Sequence, residues 1–299
     1  RSDLNTYLDF FSQIIPSLLN YGESTRKYTA LLLLRHLMTN APDYYLPKFR
    51  NLYDLLIDTT YNESIEVQSI SHSVMAYLSQ VDPKQFINTV SERFFDWAPS
   101  LLSRFPRETV DSLCILIRNV PNFMKTRINE LKNYSESLIA KNESDSLFPL
   151  LRQIFLSFGS EAMEVITEEM IMSLIKAPMS QEFKEFTVTF CNMFSDKYLN
   201  DTQKLTFSNR LKNELSSPNP LNAIKIIAEI PCECLVNHNE ILEALNPLKR
   251  SSNKQTRCAI PAAYFNVGKL CKNITHEAIV NEMFKIALYD HALEVRVAA

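Results

Sequence analysis

The sequence predicts an all-α chain, an α-solenoid in which helical hairpins of similar length stack side by side. Three observations point there. Gly22, Gly159 and Gly268 are the only glycines in 299 residues, which leaves almost no material for glycine-dependent β-hairpin turns or phosphate-cradling loops. Places where a polar turn hands over to a new apolar helix recur at Arg26, Gln68, Arg107, Asp145, Glu182, Pro220, Arg257 and Arg296. Their spacings are 42, 39, 38, 37, 38, 37 and 39 residues, a narrow series of the length a repeated helix pair needs. The last stretch shows the unit in full. Ile279, Met283, Ile286 and Ala287 lie at i, i+4, i+7 and i+8 on one helical face, the turn Tyr289-Asp290-His291 follows, and Val295-Arg296-Val297-Ala298-Ala299 opens a second helix.

Taken in order, hairpin one pairs Leu4–Leu19 with Arg26–Thr39. The run Leu31-Leu32-Leu33-Leu34 is apolar almost all round, as a helix packed on both sides requires, and Pro42 stops it. Hairpin two pairs Pro47–Asp58 with Val67–Ser79 across Asn62-Glu63-Ser64. Hairpin three opens with Asp82-Pro83, an N-cap followed by proline at the first helical position, runs through Phe94, Phe95 and Trp97, bends at Pro99, and reaches its second helix after Pro106-Arg107. Trp97 reads as core between hairpins. Hairpin four pairs Phe123–Ala140 with Ser146–Phe158, five pairs Ala162–Lys176 with Glu182–Phe194, and six pairs Thr202–Leu215 with Leu221–Ile230. Hairpin seven pairs Asn239–Leu248 with Arg257–Leu270, and the eighth is cut short. No Gly/Ser linker or low-complexity tract intervenes, so residues 1–299 read as one continuous stack, a fragment of a longer chain.

Composition bounds the function. Apolar residues make up 46% and charged residues 22%, normal for a folded chain. A formal charge of −3 disfavours a dedicated nucleic-acid domain, which shows a basic excess. No apolar run reaches the length of a membrane span, and Arg1-Ser2-Asp3-Leu4 does not begin a signal peptide. Cys114, Cys191, Cys232, Cys234, Cys258 and Cys271 read as reduced thiols of an intracellular, cytoplasmic or nuclear, protein. Asn-x-Ser/Thr sequons stand at Asn62, Asn133, Asn142, Asn200 and Asn273, a count an Asn- and Ser-rich chain reaches by chance.

Chemistry is sparse. His276-Glu277 begins like a zinc-protease helix, but Val280 stands where the second histidine would be. Cys232-Glu233-Cys234 has no second pair at a zinc-site spacing. Ser24-Thr25-Arg26-Lys27 has the Ser-x-x-Lys spacing of some acylating enzymes but occupies a hairpin turn. The reading is a chain that is not an enzyme and takes no cofactor or metal.

An amphipathic helix, an Asp-containing turn and a Val-Arg opening a second helix resemble the HEAT repeat of the armadillo-type superfamily. The resemblance implies a right-handed α-solenoid of about seven and a half hairpins. It also implies a non-enzymatic scaffold, a complex subunit whose curved surface binds other proteins. In such a repeat the turn acid, here Asp290, caps backbone N–H groups, and arginines such as Arg257 and Arg296 bond along the row of turns. Gln68 stands where hairpin two would carry its arginine, so that row is interrupted. Families sharing the repeat include importins, condensin and cohesin subunits, the scaffold subunit of protein phosphatase 2A and tubulin-binding TOG domains. A TOG domain places Trp in its first inter-helix turn; here that turn is Tyr21-Gly22-Glu23-Ser24. Phe158-Gly159-Ser160-Glu161-Ala162 and Glu294-Val295-Arg296-Val297-Ala298-Ala299 also resemble the helical domain of vitellogenin-type lipid carriers, whose β-barrel this chain lacks.

Charge nominates one site. Lys249, Arg250, Lys254 and Arg257 fall around one turn with no acid between positions 246 and 258, whereas Glu63 with Glu66 and Glu143 with Asp145 make earlier turns acidic. Arg257 is expected to be engaged internally. Lys249, Arg250 and Lys254, with no nearby acid in sequence, are the candidates for binding an acidic or phosphorylated protein segment.

Overall fold

The computed structural model describes residues 2–20, 23–40, 55–56, 63–80, 82–271 and 275–299, and every regular element among them is helical. The chain forms two compact units, Arg1–Phe158 and Gly159–Ala299. The first helix expected for hairpin two, Pro47–Asp58, lies outside the described residues except at Leu55 and Leu56, as do Pro42, Asn62 and Asn273.

In the first unit the main helices are α1 (Ser2–Leu19), α2 (Ser24–Asn40), α3 (Ile65–Leu78), α4 (Ser91–Arg104), α5 (Pro106–Asn119), α6 (Pro121–Thr126), α7 (Ile128–Ala140) and α8 (Ser144–Phe158). Their starts follow local chemistry. Asp82 accepts a hydrogen bond from the Gln85 N–H at 3.1 Å, Pro83 follows it, and a π-helical stretch Phe86–Val90 leads into α4. Proline opens both α5 and α6, where a missing N–H costs nothing. Helices α2, α3, α5 and α8 pack on one another in that order, α1 backs α2, and α4 and α7 back α5 and α8. Phe86, Phe94, Phe148 and Phe155 are fully enclosed, and Trp97 is buried.

The expected helix Phe123–Ala140 is two helices. The backbone leaves helical geometry at Arg127 (φ −106°, ψ 26°). There the guanidinium lies 5.1 Å from the Phe95 ring centroid and donates to Glu92 and Glu130.

The second unit holds α9 (Glu168–Lys176), α10 (Gln181–Tyr198), α11 (Asp201–Leu215), α12 (Leu221–Glu229), α13 (His238–Leu245), α14 (Lys254–Gly268), α15 (His276–Tyr289) and α16 (Leu293–Ala298). Thr167, Ser180, Asn200, Asn253 and Thr275 each cap the helix that follows through the side-chain oxygen. Helices α10, α12, α14 and α16 pack in order, as do α9, α11 and α13 on the other layer. Among the boundaries that differ from expectation, two have a plain local cause. Residues Gly159–Glu164 form a 3₁₀ turn entered at positive φ (+60°), so α9 starts at Glu168 rather than Ala162. Helix α13 ends at Leu245 rather than Leu248, because Pro247 cannot donate to the preceding turn and a 3₁₀ turn Pro247–Arg250 follows.

Across both units the second-helix markers lie within the first four residues of a helix, or at its N-cap for Pro220.

The core of the first unit contains an ionisable group that must stay neutral. His72 on α3 stacks on Phe94 with ring centroids 3.5 Å apart, and its Nε2 is buried without a partner among the described residues. Burial pushes its pKa from 6.5 down to about 3, opposed by a hydrogen bond to the Phe94 backbone. The unfolded chain therefore takes up this proton at a higher pH than the folded one. Its contribution is complete above pH 6.5, declines as pH falls below that value, and is lost below about 3. The expected loss between pH 7.5 and 5 is about 2 kcal/mol, read by urea unfolding. His72→Leu should flatten that slope; an unchanged slope would assign it to other groups.

Candidate functional site

The region after α13 is built by two local signals. Pro247 ends the helix and sets Lys249 and Arg250 at the close of a 3₁₀ turn. Asn253 then accepts from the N–H groups of Gln255 and Thr256 at 2.8 and 3.3 Å, so that Lys254 starts α14. Opposite stands α15. Between them lies an open cleft of about 810 Å³ lined by Asn246, Pro247, Lys249, Arg250, Glu282, Lys285, Ile286, Tyr289 and Asp290.

The structure assigns different duties to the four cations singled out from the sequence. Lys249 Nζ lies 3.0 Å from Glu282 Oε2 and 3.9 Å from the centroid of the Tyr264 ring. Lys254 Nζ lies 2.5 Å from Glu294 Oε1. No acid stands near either in sequence, yet each has one close in space: the acids come from the next hairpin, 33 and 40 residues on. Arg257 grips Asp290 through two bonds, Nε to Oδ2 at 2.9 Å and Nη2 to Oδ1 at 3.2 Å, and Nη1 donates to the Ser251 carbonyl at 2.8 Å. Asp290 Oδ1 also accepts from the Ala292 N–H at 2.8 Å, closing the turn that leads into α16. Arg250 is exposed and makes no ion pair among the described residues, and the same holds for Arg296.

Two residues important to the cleft were missed because they lie a hairpin away in sequence. Lys285 Nζ sits 2.9 Å from Glu282 Oε1, so Glu282 is bracketed by two ammonium groups. Those hydrogen bonds, from Lys285 first and then Lys249, hold its carboxyl below the usual range. The exposed Tyr289 ring completes the mouth. Both acids of the cleft are thus neutralised within the protein: Glu282 by two lysines, Asp290 by Arg257. Arg250 and Lys285 remain as the accessible cations, which makes the cleft electropositive in a chain of net charge −3. A smaller space, about 30 Å³ among Phe183, Phe186, Phe190 and Phe207, has room for about one water and an almost wholly apolar lining.

The acidic early turn is likewise neutralised. Glu63 accepts from Lys27 Nζ at 2.5 Å and from the Ser24 hydroxyl at 2.6 Å. Those bonds lower its pKa.

No family model matches the chain, and no curated protein matches it. One similar solved structure is the crystal structure of an engineered protein determined by a structural genomics consortium, with a TM-score of 0.56 and 15% sequence identity, covering 96% of this chain and 76% of that one. At that identity the likeness concerns the helical fold alone. Among the described residues no helix is long and apolar enough to cross a membrane.

The Arg257–Asp290 pair is mostly enclosed, and removing one partner leaves the other unmatched. Arg257→Ala is expected to lower the stability of the second unit by about 1–3 kcal/mol. Arg250→Ala should stay within about 0.5 kcal/mol. Equal midpoints in urea for the two variants would contradict this division of roles.

Proposed function

We propose that the chain is a non-enzymatic, HEAT-like α-solenoid scaffold that binds other proteins, with the cleft beside Arg250 and Lys285 receiving an acidic segment. The observation that carries the binding reading is the neutralisation of both cleft acids by internal partners. An incoming carboxylate or phosphate then meets Arg250, which has no ion-pair partner among the described residues, and Lys285, which shares Glu282 with Lys249. Tyr289 and Ile286 supply apolar surface beside them, as a peptide side chain flanking the acid requires. The solenoid reading is supported by the ordered packing of second helices within each unit and by side-chain bonds that bridge neighbouring hairpins. An intracellular setting is part of the proposal, supported by six cysteines that are all free thiols.

Exposed pairings each contribute only about 0.2–1 kcal/mol, so affinity rests on several acting together. Lys249 and Lys254 hold neighbouring hairpins and are poor choices for a test. The informative change is Arg250→Glu with Lys285→Glu, both on exposed side chains. A proteomic pull-down with the unaltered chain is expected to return one or two stoichiometric proteins. A fluorescent peptide from the acidic stretch of such a partner should bind the double variant at least tenfold more weakly and with a shallower salt dependence, at unchanged helical circular dichroism. Unchanged affinity and salt dependence would exclude the cleft as the docking site.

A further inference from the structure

The turn between the 3₁₀ stretch Pro247–Arg250 and α14 carries a serine that the cleft does not use. Ser251 and Asn253 have extended backbone, φ −56°, ψ 140° and φ −76°, ψ 113°, and Ser252 forms the bend between them. The two serines differ. Ser251 is half-buried, and its hydroxyl accepts from the Asn253 N–H at 3.2 Å. Ser252 is exposed, its hydroxyl makes no hydrogen bond among the described residues, and it does not line the cleft. The turn itself is fixed: Arg257 Nη1 donates to the carbonyls of Ser251 and Ser252 at 2.8 and 3.4 Å. Helices α14, α15 and α16, which follow the turn, are all in place and leave Ser252 open.

Charge around Ser252 is one-sided. Lys249 and Arg250 stand three and two residues before it, Lys254 two after, and no acid occurs between positions 246 and 258. Adjacent basic residues occur at one other place in the chain, Arg26-Lys27, and there too a hydroxyl follows two positions on, at Thr29. Thr29, however, lies inside α2 and donates to the Thr25 carbonyl at 2.9 Å. A protein kinase takes its acceptor from extended chain, so the fold separates two positions that the sequence makes alike. The 3₁₀ turn that must straighten for Lys249 and Arg250 to be read is held by backbone bonds of 3.4 Å, Lys249 to Asn246, and 3.1 Å, Ser251 to Leu248.

We propose that Ser252 is a phosphorylation site for a protein kinase that selects basic residues ahead of its acceptor, and that the phosphate draws Arg250 away from the cleft. The second half rests on the binding of acidic segments proposed above. In the transfer, Ser252 Oγ bonds to the γ-phosphorus of ATP as the bond from that phosphorus to the ADP oxygen breaks. The hydroxyl proton passes to the kinase's catalytic carboxylate. The product carries a charge of about −1.5 to −2 and lies one residue ahead of the Asn253 cap, at the positive end of α14. Arg250, exposed and without an ion pair among the described residues, is the neighbour that can bond two phosphate oxygens at once. Lys254 is held by Glu294 and Arg257 by Asp290.

The test incubates the full chain with magnesium ATP and the catalytic subunit of cyclic-AMP-dependent protein kinase, and maps the product by mass spectrometry. Stoichiometric phosphate on Ser252 is expected, with none on Thr29 and none at that turn in Ser252→Ala. In phosphorus NMR the second ionisation of the phosphoserine, at about pH 6 when solvated, should lie lower in the folded chain than in the same chain unfolded in urea. A fluorescent oligoglutamate peptide should bind the phosphorylated chain about tenfold more weakly than the unmodified one. Ser252→Ala, treated in the same way, should bind as the unmodified chain does. No transfer to Ser252, or transfer to Thr29 at an equal rate, would overturn the phosphorylation site and leave the cleft reading untouched. An ionisation that is not lowered, or an affinity unchanged by phosphate while Arg250→Glu with Lys285→Glu weakens it, would overturn the coupling to Arg250. An affinity unchanged by both would sink the cleft reading and the coupling with it, while the phosphorylation site stands.

Discussion

The C-terminal end of α12 is where the second unit is most constrained. A helix ends with carbonyls that have no intrahelical partner, and in a packed interior those groups cannot turn to water. Here they are met from both sides. Asn266 on α14 donates to the carbonyls of Ile227 and Ile230 at 2.8 and 2.7 Å, and Asn192 on α10 donates to that of Glu229 at 3.2 Å. The face between is filled by Ala223, Ile224, Ile226 and Ile227, all fully buried. Apolar packing holds α10, α12 and α14 together, and the amides set their axial register. Arg210 does the same for α9, donating to the carbonyls of Ile175 and Ala177 while lying over the Phe183 ring.

Charge is arranged with a direction. In the second unit, each described ion pair joining two hairpins has its cation on the earlier hairpin and its acid on the later one: Lys184–Glu229, Lys212–Glu240, Lys249–Glu282, Lys254–Glu294 and Arg257–Asp290. Apart from the mostly enclosed Arg257–Asp290, each has at least one partner open to solvent and contributes little to stability individually. Each pair cancels as much positive charge as negative; the cleft stays electropositive because its lining carries three cations, Lys249, Arg250 and Lys285, against Glu282 and Asp290. In the first unit the direction varies: Arg104 reaches back to Glu66 and Arg127 to Glu92, whereas Lys27 reaches forward to Glu63.

The helical class and the starts of the second helices were legible because both depend on local chemistry. Scarce glycine, prolines at first helical positions and apolar periodicity operate within a few residues. The site was legible only as a cluster of positive charge. What each cation does was not, because Glu282, Asp290 and Glu294 approach from 33 to 40 residues away. The split at Arg127 was also hidden, since it depends on Phe95 and Glu92 packing against that side chain from another helix. Helix α13 is the exception: the early stop at Pro247 was readable from the proline itself and was overlooked in favour of apolar Leu248.

If α12 is pinned from both sides while α15 and α16 are covered on one side only, protection from exchange with solvent must follow that order. Native-state hydrogen exchange read by mass spectrometry measures it directly. The amides of α12 and the middle of α14 should be the slowest in residues 159–299, and those of α15 and α16 the fastest of the packed helices. Uniform protection across α9–α16, or faster exchange in α12 than in α15, would contradict a unit organised around the capped and doubly packed α12.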